Sequence, residues 1–255
     1  MNHLEHRQHI CEIGRWMHER GWVASNDGNV SVRLQDGTLL ATPTGVSKGR
    51  MQPEDLICCD LEGQKLEGHR EVTSEIAMHT TVYRLRPDIH AVVHAHPPVA
   101  TGFAVAGRPL TLAILPEVII GLGCVPLASY GLPGTSELTE GMLPFIPKYD
   151  ALLMANHGAV CYGDTLDCAY YRMETLEHFA RIALVAELLG GPKVLPREEV
   201  SKLFAARDRY GVRNRSGMEP GYPVVAEDLQ PNEEKLALTK ADLIALVDEV
   251  LRARR

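Results

Sequence analysis

The stretch Ile89-His90-Ala91-Val92-Val93-His94-Ala95-His96-Pro97-Pro98 decides how this chain is read. Its apolar run predicts a buried strand, and in a strand positions i and i+2 point to the same side. His94 and His96 therefore lean from one face toward a shared point. Proline has no N–H to give a sheet ladder, so Pro97-Pro98 ends the strand and leaves the pair at its mouth. Burying two neighbouring imidazoles without partners is costly, and a divalent cation relieves that cost. Imidazole suits zinc above all. Taken alone, the pair is equally compatible with one solvated ring and one hydrogen-bonded ring.

A second segment ends in the same way. Ala151-Leu152-Leu153-Met154-Ala155 is a short apolar run closed by Asn156-His157-Gly158. Gly158 permits a turn or a close approach of backbone to a ligand, so His157 is expected at a strand edge. Three histidines leave an open position on a tetrahedral zinc, as a catalytic site requires.

The remainder of the chain is consistent with a soluble globular protein. Its 255 residues can bury one large core with a small appendage. A net charge of −7 argues against a broad nucleic-acid footprint, so an anionic ligand would need a local site. The polar start Met1-Asn2-His3-Leu4-Glu5-His6-Arg7 opens no apolar signal region, and no run approaches the length of a membrane span. Cysteines 11, 58, 59, 124, 161 and 168 form no CxxC pair. They read as small buried hydrophobes of a reducing compartment, and the expected location is cytoplasmic.

Ile10, Ile13 and Met17 at helical spacing predict a helix over residues 2–20, stopped by Gly21. Val30–Leu34 and Leu39–Ala41, joined through Gln35-Asp36-Gly37, predict a hairpin. Leu56–Asp60 predicts another strand. Thr73 or Ser74 is positioned to cap a helix through Ile76, Thr80 and Tyr83. Further helices are expected from Thr135 or Ser136 to near Pro144, over Leu166–Leu189, and over Glu198–Tyr210. Beyond Arg213 the composition changes to a Pro- and Gly-bearing linker, followed by an amphipathic helix opened by Thr239-Lys240-Ala241-Asp242. Two units are therefore expected, 1–213 and 214–255, with the tail packed on the body or on a neighbouring subunit.

Polar, turn-forming segments lie beside the predicted strands. Asp27-Gly28-Asn29 places an amide at a strand mouth, and Thr42-Pro43-Thr44-Gly45 offers a hydroxyl and free backbone N–H groups. Thr73-Ser74-Glu75 sets two hydroxyls at a helix start, where anions bind readily. Read singly, these are a turn, a hairpin corner and an N-cap. Glu75 is either a carboxylate that complements the helix dipole or a general acid/base beside a metal.

Together, Ser25-Asn26-Asp27-Gly28-Asn29-Val30-Ser31-Val32-Arg33, Ala41-Thr42-Pro43-Thr44-Gly45, Thr73-Ser74-Glu75, His94-Ala95-His96 and Asn156-His157-Gly158 resemble, in order and spacing, the class II aldolase/adducin superfamily. The resemblance spans residues 5–213 and is greatest to L-fuculose-1-phosphate aldolase-like enzymes. It implies an α/β, three-layer class II aldolase fold with a largely antiparallel central sheet flanked by helices. It also implies a homotetramer with active sites between subunits.

The same resemblance implies Zn2+ on His94, His96 and His157, with Mn2+ or Co2+ as substitutes. Glu75 would be the fourth ligand at rest and the acid/base in turnover. Asn29, Thr44, Gly45, Thr73 and Ser74 would hold a substrate phosphate. Tyr210 resembles the tyrosine that reaches a neighbouring subunit's site in the fuculose aldolases. The implied reaction is reversible cleavage of a ketose 1-phosphate to dihydroxyacetone phosphate and an aldehyde through a metal-stabilised ene-diolate. One departure stands out: where those aldolases carry another tyrosine near the aldehyde pocket, this chain reads Leu115-Pro116-Glu117-Val118.

Related chemistries in the superfamily are methylthioribulose-1-phosphate dehydratase, sugar-phosphate 4-epimerase and decarboxylation of oxo-acid phosphates. The epimerases carry an aspartate- and proline-containing segment where this chain has Thr73-Ser74-Glu75-Ile76, which favours the aldolase. A non-catalytic adducin-like interaction domain needs neither the histidines nor the glutamate, yet all four are present.

Overall fold

The computed structural model describes residues 3–212 and 221–229. The strands are β1 (Asn29–Arg33), β2 (Leu39–Ala41), β3 (Ile57–Cys59), β4 (Lys65–Glu67), β5 (Ala91–Ala95), β6 (Leu127–Ala128), β7 (Ala151–Met154) and β8 (Gly158–Gly163). They form one sheet in the order β4-β3-β2-β1-β5-β8-β7-β6. Among the described residues, β6–β7 is the only parallel strand pair in this sheet. The sheet is thus largely antiparallel, as the resemblance implied.

Helices cover both faces. They are α1 (His3–Glu19), α2 (Ile76–Leu85), α3 (Pro98–Val105), α4 (Pro116–Gly121), α5 (Ser136–Met142), α6 (Leu166–Leu188) and α7 (Arg197–Ala206). Strand alternation assigns the partners. Val93 and Ala95 of β5 and Ala159 and Cys161 of β8 pack with Ile10, Ile13 and Met17 of α1 and with Tyr170, Met173 and Leu176 of α6. Val92 of β5 and Val160 and Tyr162 of β8 pack with Met78, Val82 and Tyr83 of α2 and with Leu138 and Met142 of α5. His94 shares the parity of Val92, so its side chain leaves β5 on the α2 side.

One expectation needs correction, and one central strand was unforeseen. His157 closely follows β7, as expected. It lies in the tight turn of a β7–β8 hairpin, and β8, unforeseen, is a central strand between β5 and β7. Its glycines at both ends hid a run that is buried throughout. Neither Thr73 nor Ser74 caps α2. The N-cap position is Glu75, whose side chain turns to the histidines instead, while Thr73 Oγ1 accepts the Glu75 amide at 3.4 Å. The described part of the expected linker is pinned to the body: Val224 N donates to Thr111 O at 2.8 Å, and Ala226 N to Leu195 O at 3.1 Å. The amphipathic helix expected from Thr239 lies outside the described residues.

The cysteines are free and mostly buried. No helix among the described residues is long and apolar enough to cross a membrane.

Candidate metal centre

The β5–β8 register sets Ala95 opposite Ala159, so the hairpin turn carrying His157 lands beside the end of β5. There the three imidazoles meet. Ring centroids lie 4.9 Å apart for His94–His96, 4.8 Å for His94–His157 and 5.3 Å for His96–His157. One nitrogen from each ring falls within 4.8 Å of the others. Gly158 makes the approach possible, because a Cβ there would collide with the His96 ring and the Ala95 carbonyl.

Hydrogen bonds aim the nitrogens. His94 Nδ1 lies 2.9 Å from Ala159 O, an acceptor only, so Nδ1 carries the proton and Nε2 keeps its lone pair. His96 Nδ1 donates to Asp27 Oδ2 at 2.9 Å with the same result. The two Nε2 atoms then face each other at 3.2 Å, although both are acceptors in this tautomer. Two lone pairs at that distance repel unless a proton or a cation sits between them. His157 Nδ1 and Glu75 Oε1, both buried, have no hydrogen-bond partner. The donor set therefore fits a divalent cation held by His94, His96 and His157, with outer partners that fix the His94 and His96 rings.

Glu75 closes the cluster. Its Oε2 lies 3.3 Å from His94 Nε2 and its Oε1 3.1 Å from His157 Nε2. Burial opposes ionisation of this carboxyl, but the adjacent His94 and His157 imidazoles outweigh burial when they carry a proton and hold its pKa well below the usual range.

An ionised Glu75 dictates the next contacts. Asn29 must present Nδ2 to Glu75 Oε2, at 2.8 Å, so its Oδ1 faces His79 Nε2 at 2.5 Å. His79 Nε2 therefore carries a proton, and Nδ1 accepts from Ser31 Oγ at 2.6 Å. Burial, reinforced by His94, pushes the His79 pKa down to about 3, which keeps this fully buried ring neutral.

The other predicted site residues divide into two groups. An isolated bridge between Pro43 and Val72 draws the Thr44-Gly45 turn next to Thr73-Ser74. Thr44 N donates to Glu71 O at 3.0 Å, and Thr73 N to Thr42 O at 3.2 Å. Thr44, Gly45 and Ser74 are exposed, while Thr73 and Asn29 are buried. These two segments and Asn29 thus adjoin the Glu75 end of the cluster. Tyr210 is not brought in. It follows α7 in a 3-10 segment, is 67% exposed, and has no hydrogen bond or ring contact with the histidines. Glu117 is exposed in the first turn of α4 and borders an open cavity of about 470 Å3 lined by Arg20, Trp22 and Arg181.

Asp27, His79 and Lys48 were not singled out as site residues from the sequence. His79 had a usable signal, because it follows Glu75 by four residues, one helical turn along the same face. Asp27 had none beyond its place in a turn.

A sheet between two helical layers, with histidines and a glutamate gathered at its strand ends, defines a scaffold for metal-assisted chemistry. Residues 8–184 match the Class II Aldolase and Adducin N-terminal domain, and the chain belongs to that family. It is 33% identical over 207 residues to 3-oxo-tetronate 4-phosphate decarboxylase of Pectobacterium atrosepticum, covering 77% of this chain and 91% of the relative. It is 30% identical over 208 residues to 5-deoxy-D-ribulose 1-phosphate aldolase of Bacillus thuringiensis, covering 80% and 96%. A solved L-fuculose 1-phosphate aldolase superposes with a TM-score of 0.74 at 30% identity, covering 80% of this chain and 95% of that one.

Proposed function

We propose that this protein is a zinc-dependent, cytoplasmic aldolase that reversibly cleaves a ketose 1-phosphate to dihydroxyacetone phosphate and an aldehyde. The observation that carries the reading is the position of Glu75, a partly buried carboxylate 3.1–3.3 Å from two of three converging histidines. His94, His96 and His157 would hold the cation through Nε2, with Glu75 as resting fourth ligand. When bound, the cation supplies Lewis-acid stabilisation of negative charge on substrate oxygens.

The chain's own residues do the rest. The Thr44-Gly45 and Thr73-Ser74 segments bind the phosphate with hydroxyls and backbone N–H groups, and Asn29 adds its amide. Glu75 returns a proton to the substrate carbon beside the carbonyl after cleavage, and removes it in synthesis. Tyr210 acts on the aldehyde part from a neighbouring subunit of a homotetramer, which agrees with its exposure in a single chain.

A second reading, decarboxylation of a 3-oxo-acid phosphate, is supported by one specific observation. Aldol cleavage must also remove a proton from the substrate hydroxyl, and Leu115-Pro116-Glu117-Val118 lacks the second tyrosine of the fuculose aldolases, leaving Tyr210 alone for that step. Loss of carbon dioxide needs no such base, and Glu75 would still protonate the resulting carbanion.

Metal-defined protein should be incubated with fuculose 1-phosphate, 5-deoxyribulose 1-phosphate, methylthioribulose 1-phosphate and 3-oxo-tetronate 4-phosphate. Triose-phosphate release marks the aldolase, carbon dioxide the decarboxylase, and water loss without chain cleavage a dehydratase. A well-folded protein that retains no metal after dialysis would point to a non-catalytic interaction domain.

A further inference from the structure

Lys48 is a buried cation that the proposed reaction does not use. It is only 2% exposed. Its Nζ donates to Asn26 O at 3.0 Å and to Val46 O at 2.7 Å, and no carboxylate among the described residues lies within ion-pair distance of it. Buried charges in proteins are normally paired, because carbonyl dipoles replace only part of the lost hydration. Burial accordingly pushes the Lys48 pKa down to about 8, while the more distant Asp27 and Glu75 pull it up.

The location explains why such a charge is kept. Asn26 belongs to the loop that carries Asp27 and Asn29 into the site, and Val46 follows Thr44-Gly45 directly. Lys48 thus ties together two of the segments read as phosphate-binding. Its backbone is wedged against α1, where a Cβ at Gly14 would meet the Lys48 carbonyl at 2.8 Å. The clamp is therefore packed closely on α1. Asp27 and Glu75, the nearest acidic groups, already engage His96 and His94/His157. The anion left for Lys48 is one that arrives between the two loops.

We propose that Lys48 is a positioning residue for the substrate phosphate, clamping the Asn26–Asn29 loop to the Thr44–Val46 turn and holding a positive charge behind both. It makes no contact with the substrate and acts through the two loops and its field. The inference rests on the phosphate-site reading given above.

The test is calorimetric titration of inorganic phosphate into the zinc-loaded, full-length protein. Lys48→Met should keep its zinc, with a lower melting temperature from the two lost hydrogen bonds. Its phosphate affinity should fall about tenfold or more, while Lys48→Arg stays within about threefold of wild type. Lys48→Gln retains amide donors for the carbonyls without the charge, so it folds even if the methionine variant does not, and it too should lose phosphate affinity. A Met or Gln variant that binds phosphate like wild type overturns the role of Lys48 and leaves the sugar-phosphate reading intact. A wild-type protein that ignores phosphate overturns both. Zinc loss in step with phosphate loss would show that Lys48 merely supports the fold, and would also overturn it.

Discussion

Asp27 Oδ2 sits 2.9 Å from His96 Nδ1, a contact that spans 69 positions of the chain. A carboxylate that fixes the tautomer of a metal-ligating histidine commonly contributes 10- to 100-fold in metal affinity. Asp27→Ala should therefore weaken zinc binding by about that factor, and Asp27→Asn, which keeps an acceptor oxygen, by less. Competition with a chromogenic chelator measures both. Unchanged affinity in the alanine variant would mean that His96 is not a ligand or that its orientation is set elsewhere.

Glu75→Gln preserves shape while removing the charge and the proton shuttle. The variant should retain zinc on the three histidines yet lose about 100-fold or more in dihydroxyacetone-phosphate proton exchange. Exchange can be followed by solvent deuterium incorporation. A wild-type rate in the variant would remove Glu75 from the chemistry.

His79 holds Asn29 in the orientation that an ionised Glu75 demands. His79→Leu leaves the Asn29 Oδ1 and the Ser31 hydroxyl without that partner and should cost about 1–3 kcal/mol of stability. The pH dependence has a definite sign. The folded pKa of about 3 lies below the ordinary 6.5, so between these values the unfolded chain binds the proton first. Wild type should therefore lose stability relative to the leucine variant as pH falls through this window. Denaturant titrations of both proteins at several pH values give the difference, and a constant gap would show that His79 is not held neutral.

Gly158 faces the His96 ring with no room for a side chain. Gly158→Ala should displace that ring and weaken zinc binding about tenfold or more, and it should also cost stability, because the new Cβ presses on the Ala95 carbonyl of β5 even though Gly158 φ lies outside the left-handed region. Metal content after dialysis, set against the circular dichroism spectrum, separates the two effects.

Burial pushes the thiol pKa of Cys11 up to about 11, and those of Cys59 and Cys124 to about 12. Since the thiolate is the nucleophile, these side chains should resist iodoacetamide at pH 8 in the native protein and react fully in denaturant. Fast native labelling of any of the three would place it at the surface.

Much of the fold was legible because its signals are local. Ile10, Ile13 and Met17 mark α1 by spacing alone, and Asp36-Gly37 marks the β1–β2 hairpin by its turn chemistry. The β7–β8 hairpin was not legible. Asn156 adopts a positive φ of 55°, which no pattern of hydrophobic residues announces, and β8 begins and ends in glycine. The caps of α2 misled for a related reason: Thr73 and Ser74 are good capping residues, but the tertiary pull of His94 and His157 on Glu75 set the helix start.

From the order of its residues alone, the chain declared its family resemblance, with the antiparallel sheet it implied, and its three histidines, since these depend on side-chain type and on motif spacing along the chain. Assembly had to decide what each imidazole's second nitrogen does, which way Asn29 points, and that Lys48 stands buried without a counter-charge among the described residues. Those outcomes depend on groups tens of residues apart meeting within about 3 Å, a range over which hydrogen-bond direction and desolvation act and linear spacing carries no information.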